Sequence, residues 1–124
     1  MNNLVAIGAG GALGAVCRYG LARWVQQLAG LAFPAGTLTV NALGSFVMGF
    51  ATVWMLERST LGPDARLFLL TGVLGAFTTF SAFSVETLSL VEARLTGQAV
   101  LYVAGSVILC LVMAWLGMML GRQV

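Results

Sequence analysis

The sequence predicts an all-α integral membrane protein with four spanning helices, the third broken near its middle. Three observations predict it. Hydrophobic residues make up 60% of the chain and charged residues 8%, with a mean hydropathy of +0.99, far from the balance of a soluble domain. Four apolar stretches each reach the ~20 residues that a helix needs to cross a bilayer. One of the four is much longer than a crossing requires. No long polar segment separates them, so we expect a single membrane domain over residues 1–124.

The first span is read from about Leu4 to Leu28 and the second from about Ala32 to Leu56, with Pro34 suited to an N-terminal first turn. The third runs from about Ala65 to Leu95, after the breaker Gly62-Pro63-Asp64, and the fourth from about Gln98 to Leu120. As one helix the third would be roughly 45 Å long, against a hydrocarbon core of about 30 Å. It must tilt strongly or break. Gly72, Gly75 and the β-branched pair Thr78 and Thr79 mark the break. Irregular backbone at that depth is tolerated only where it is buried in protein or lines a polar cavity, and its freed carbonyls can hold a cation.

Several function classes are excluded. All six basic residues are arginines, set against four acids for a net charge of +2, and they form no nucleic-acid patch. There is no histidine, and Cys17 and Cys110 lie far apart in apolar stretches, which argues against metal and thiol chemistry and against an enzyme. The opening GAGGALGA places Leu13 where a dinucleotide fingerprint needs glycine, and no strand precedes it. No basic stretch precedes the first apolar run, and that run outlasts a signal-peptide core, so no cleaved signal is expected.

With an even number of spans, Arg58, Arg66 and Arg122 fall on the side of the termini, and Arg23 and Arg94 on the other, joined by Arg18 if it snorkels. That is almost no orientation bias. We therefore expect insertion both ways and an antiparallel homodimer. The sixteen glycines support close packing, with Gly10/Gly14 and Gly117/Gly121 serving either helix contacts inside a subunit or a dimer seam.

Polar side chains inside spans must find partners, so their placement is informative. Thr37, Asn41, Ser45, Met48 and Thr52 share one face of the second span, and Tyr102, Ser106 and Cys110 one face of the fourth. The Asn41 amide is either interhelical glue or a donor to a permeating species. Past the break, Phe80 and Phe83 share a face amid Ser81, Ser84, Glu86, Thr87 and Ser89. Such a pair is ordinarily core or lipid-facing, but ring edges can also face an anion. Glu86 is an intramembrane acid and a functional candidate, unless it is salt-bridged to Arg18 or Arg94. Arg18 could instead snorkel or attract anions into a vestibule.

GGALGAVCRY (residues 10–19), GTLTVNALGSFVMG (36–49) and GAFTTFSAFS (75–84) resemble, in order, three signature stretches of the Fluc, or CrcB, fluoride channels. The resemblance covers essentially the whole chain. It implies a multi-pass protein of the bacterial inner membrane, a dual-topology antiparallel homodimer with two pores that exports fluoride passively and relieves its toxicity. Carried over, Asn41 is the pore amide, Phe80 and Phe83 are the ring-edge box, and the hydroxyls of Thr79 and Ser81 stand beside them. Tyr102 and Ser106 belong to a polar track, Arg18 matches the first-span arginine, and Glu86 the acid after the phenylalanine motif. A central sodium ion is implied, held by backbone carbonyls of Gly75 and Thr78 from both subunits. Cys110 departs from the family, where a hydroxyl is usual. Two rivals remain: an accessory membrane subunit, and a small multidrug-type proton-coupled antiporter, which would need an acid in the first span, where none lies between Met1 and Leu56.

Overall fold

The computed structural model describes residues 2–124, which are helical apart from short connections. The first helix, α1, is Asn3–Ala29. It begins where the Asn2 side chain accepts the Leu4 amide at 3.0 Å. It ends at Gly30, whose left-handed φ of 60° lets its N–H reach back to Gln26 O. Gln26 then holds the turn that follows, its amide nitrogen donating to Leu31 O and Phe33 O while its oxygen accepts Gly36 N–H. The second helix, α2, is Ala35–Glu57. Pro34 stands just before it as the cap rather than inside the first turn, because its backbone (φ −79°, ψ 67°) is not yet helical.

The third span is divided. A short turn, α3 (Pro63–Arg66), opens with proline at its first position and leads into a π-helical run, Leu67–Leu74. One further turn, α4, covers Gly75–Phe77. Thr78 (φ −92°, ψ 157°) and Thr79 (φ −151°, ψ 115°) are extended, and the chain resumes as α5, Phe80–Glu92. The expected break is therefore present, preceded by a π-helical widening that no residue pattern announced. Arg94 carries the chain round to the last helix at a left-handed φ of 61°. There Leu95 N–H reaches Leu90 O at 2.9 Å, closing the end of α5. The last helix, α6, is Thr96–Gln123. Arg58 grips its end, donating to Val124 O at 3.1 Å and Arg122 O at 3.3 Å.

Among the described residues, four helical stretches are long and apolar enough to cross a membrane: Asn3–Ala29, Ala35–Glu57, the compound Pro63–Glu92, and Thr96–Gln123. Glycine lets their backbones touch. A Cβ on Gly14 would run into the Val73 backbone of the π-helical run, and one on Gly117 into the Phe46 carbonyl of α2. Both glycine pairs expected from the sequence thus serve contacts inside the subunit. Gly49 of α2 meets Ala114 of α6, and these two parallel helices form the centre of the molecule. Small and medium side chains such as Ala6, Val40, Ala51 and Met55 fill the interior, while Leu4, Val16, Leu28, Leu101, Leu111 and Trp115 face outward, as lipid contact requires.

Candidate functional site

The break gathers most of the polar residues singled out above. Interrupting a helix orphans backbone groups, and each must be paired or face something polar. Thr78 pairs its own N–H and its hydroxyl with Leu74 O, each at 3.2 Å. The Thr79 peptide is held by α2: Asn41 Oδ1 accepts Thr79 N–H at 2.7 Å, and Asn41 Nδ2 donates to Thr79 O at 3.0 Å. Asn41 is therefore an interhelical clasp. Its nitrogen carries a second hydrogen, which the clasp does not use. Thr79 Oγ1 caps α5 by accepting Ala82 N–H at 3.1 Å and lies 3.3 Å from Ser81 Oγ.

In an unbroken helix Thr79 N–H would go to Gly75 O; given to Asn41 instead, it leaves that carbonyl without its usual donor. The neighbouring Ala76 O is met by Arg18 Nε of α1 at 3.0 Å. Glu86 has two hydroxyl donors, Thr37 Oγ1 at 2.7 Å and Tyr102 OH at 2.8 Å. The sequence left open a salt bridge between Glu86 and Arg18 or Arg94. Neither forms; Glu86 ties α5 to α2 and α6 through hydroxyls. Tyr102 is fully buried between Phe33 (5.4 Å between centroids, 80° edge-on) and Phe83 (5.1 Å), and Phe83 continues to Phe80 at 5.3 Å.

Below these rings runs a groove of about 610 Å³ between α2, the break and α6. Asn41, Ser45, Met48 and Thr52 line it from α2, Thr78, Thr79, Phe80 and Phe83 from the break, and Ser106, Cys110, Ala114 and Met118 from α6. Each polar stripe read from the sequence lines it except for its first member, Thr37 on α2 and Tyr102 on α6. Among the described residues, no charged side chain lines it. Ser106 is 6% exposed, yet its hydroxyl has no protein partner. Phe80, by contrast, is 78% exposed, so one chain leaves this side of the groove open. Arg18, Ser81, Glu86 and Tyr102 lie outside the lining: Arg18 on the α1 side of the break, the other three around its upper rim. Met118 was not singled out in advance, although it continues the α6 stripe two turns past Cys110. Thr37, recognised only as part of a stripe, turns out to be a partner of Glu86.

Chemically the groove offers neutral N–H, O–H and S–H donors and ring edges on an otherwise apolar wall. Such a wall can strip and replace the hydration of a small anion without a fixed cation to trap it. Residues 5–118 match the family model described as CrcB-like protein, Camphor Resistance (CrcB). The chain belongs to the CrcB family. With four helices of spanning length it is a multi-pass membrane protein, as the bacterial inner membrane holds. CrcB relatives similar along nearly their whole length carry the name fluoride-specific ion channel FluC. One, from Thermus thermophilus, is 53% identical over 118 residues, covering 95% of this chain and 91% of its own. Another, from Rhizobium meliloti, is 45% identical over 122 residues and 98% of both chains. A third, from Nitratidesulfovibrio vulgaris, is 46% identical over the full length of both. The family is one of channels, not enzymes.

Proposed function

We propose that this CrcB chain is a fluoride-selective passive channel that lets fluoride leave the cell down its gradient. The observation that carries it is the uncharged groove at the break, lined by Asn41, which has a spare N–H, and by Ser106, whose hydroxyl has no protein partner, beside the Phe80 and Phe83 rings. Fluoride is small and strongly hydrated. It enters a narrow path only if donors replace its lost water one by one, and it leaves only if no single site binds too well. Asn41 Nδ2, Ser106 Oγ and the ring edges supply such donors in sequence; Tyr102, Glu86 and Thr37 set the rim.

The open side of the groove supports a working unit of two copies, each supplying Phe80 to enclose the other's path. The near-equal arginine count on the two ends supports an antiparallel pair. Two such grooves give two pores. Backbone carbonyls at Gly75 and Thr78 fit a hard monovalent cation in kind, since Gly75 O has lost its helical donor and hard cations take oxygen ligands. One chain offers too few oxygens for a shell, so both copies would contribute. Sodium held there would neutralise the converging carbonyl dipoles at the dimer centre.

The test is efflux from liposomes loaded with potassium fluoride, triggered by valinomycin and followed with a fluoride electrode, with potassium chloride liposomes alongside. Rapid fluoride loss with chloride retained is expected, and Phe80→Ile should abolish that flux while the protein still assembles. No fluoride loss from folded, assembled protein overturns the channel reading. Drug-stimulated proton movement would then favour the antiporter, and silence in both assays an accessory subunit.

A further inference from the structure

Glycine serves two different purposes along this chain. At Gly14, Gly36, Gly49 and Gly117 an added Cβ would run into a backbone carbonyl of a neighbouring segment, so these positions pack main chain on main chain. Gly44 of α2 is different. A Cβ there would run into the Thr78 methyl, with Phe77 Cδ1 next at 3.1 Å, and among the described glycines it alone has a side chain as its nearest obstacle. Both obstacles belong to the break. The Thr78 methyl is not free to swing aside, because one χ1 angle places both it and the Thr78 hydroxyl, which donates to Leu74 O at 3.2 Å. Three residues before Gly44, Asn41 holds the next peptide by accepting Thr79 N–H at 2.7 Å. That peptide is trans, and in a planar trans peptide C=O and N–H point in opposite directions, so Thr78 O is turned away from the Asn41 amide. Ala82 N–H, which would meet Thr78 O in a continuous helix, goes to Thr79 Oγ1 instead.

We propose that Gly44 is a positioning residue of the groove: its missing side chain seats Thr78 against α2, and this seat, with the Asn41 clasp, sets where the Thr78 carbonyl and the spare Asn41 N–H stand. The clasp alone leaves the extended pair Thr78 and Thr79 free to pivot about its hydrogen bonds to one amide. The seat supplies the second point of support. A Cβ at position 44 is fixed by the helix, and carbons pack no closer than about 3.5 Å. Thr78 would then either rotate and give up Leu74 O, or back away from α2 and stretch the clasp, and hydrogen bonds weaken steeply with misalignment. Gly44 also lines the groove, so an added methyl has a rival effect, simple obstruction. The two differ in what relieves them. Obstruction belongs to the new Cβ, whereas displacement needs the Thr78 methyl as well. The consequence for flux rests on the channel reading above, although the seat itself does not.

The test places Gly44→Ala in two parents, the natural chain and Thr78→Ser, which removes the obstructing methyl and keeps the hydroxyl. Each double comparison is made against its own parent, by hydrogen exchange on the full-length protein and by fluoride efflux from liposomes. In the natural chain Gly44→Ala should lower protection of the Thr79 amide by about tenfold, as a displaced hydrogen bond would, while amides in the middle of α6 keep theirs. Fluoride efflux should fall by about tenfold or more, as misplacement of a positioned group does elsewhere. In the Thr78→Ser parent both effects should shrink to less than about threefold. Equal losses in the two parents, or no loss in the natural chain, overturn the proposal, and so does lost protection in a protein whose fluoride efflux holds. Should Gly44→Ala fail to fold in the natural chain, recovery of folded, assembled protein in the Thr78→Ser parent upholds the seat, and failure in both overturns it. Protection that depends on the Thr78 methyl in a protein that never conducts fluoride upholds the seat and defeats the channel reading instead.

Discussion

Asn41 satisfies both halves of one peptide, and this decides what its loss would do. Asn41→Ala leaves Thr79 N–H and C=O unpaired at the break, at about 1–3 kcal/mol for each buried group so orphaned. The expected result is loss of hydrogen-exchange protection at the Thr79 amide together with lowered thermal stability; an unchanged amide would mean that the clasp is dispensable. Two arginines on α1 allow a matched comparison. Arg18 donates to the break carbonyl of Ala76, whereas Arg23 meets the Tyr19 hydroxyl at 2.6 Å on the exposed surface. Arg18→Gln should therefore cost about 1–3 kcal/mol more than Arg23→Gln in parallel melts, because exposed pairs contribute little. Sequence could place Asn41 on a polar stripe, but an amide that clasps a neighbour and one that serves a pore have the same spelling. Here one side chain has hydrogens enough for both. The partners of Glu86 were equally hidden, since charge invites an arginine and only the packing of α5 against α2 and α6 brings two hydroxyls closer.

Among the elements, the four spans were legible because apolar length is a one-dimensional property. The break was legible because 30 residues overfill a bilayer and two β-branched threonines follow Gly72 and Gly75. The π-helical run was not, since LFLLTGVL is a common kind of apolar string whose widening answers to the glycines of α1. Glycine spacing announced close contacts without naming partners, and only the fold assigned Gly14 to Val73 and Gly117 to Phe46. The end of α5 offers a test of backbone strain. Arg94 holds a left-handed conformation that costs a non-glycine residue roughly 1 kcal/mol. Arg94→Gly should thus raise stability by up to about 1 kcal/mol, partly offset by the greater freedom of glycine in the unfolded chain. A lowered melting temperature would show that the arginine side chain contributes more than its backbone costs.

For the whole molecule, the proposed channel ties function to assembly, because one chain leaves the groove open. If copies must insert in both orientations, added charge should separate them. Two extra arginines beside the termini should force a single orientation and abolish flux, and co-expression with a version carrying extra arginines on the opposite ends should restore it. Flux from the first version alone would rule out the antiparallel pair. Composition made the membrane setting accessible from sequence, because it is a sum over the chain. The way the groove would be closed is a matter of surfaces, which no sum contains.

The π-helical run sets where the third span can absorb a change in length. A single-residue deletion within Leu67–Leu74 would let it relax to an ordinary α-helix with the faces on either side nearly in register, whereas a deletion in Gly75–Phe77 would swing every residue before the cut by about 100° relative to the break. Part of the run would then turn away from Gly10 and Gly14 on α1. Natural variation in residue number should therefore collect in the connection at 59–62, at the ends of α1 and α6 and, by single residues, in the π-helical run, with the stretch from Gly75 to Thr79 behaving as a fixed ruler.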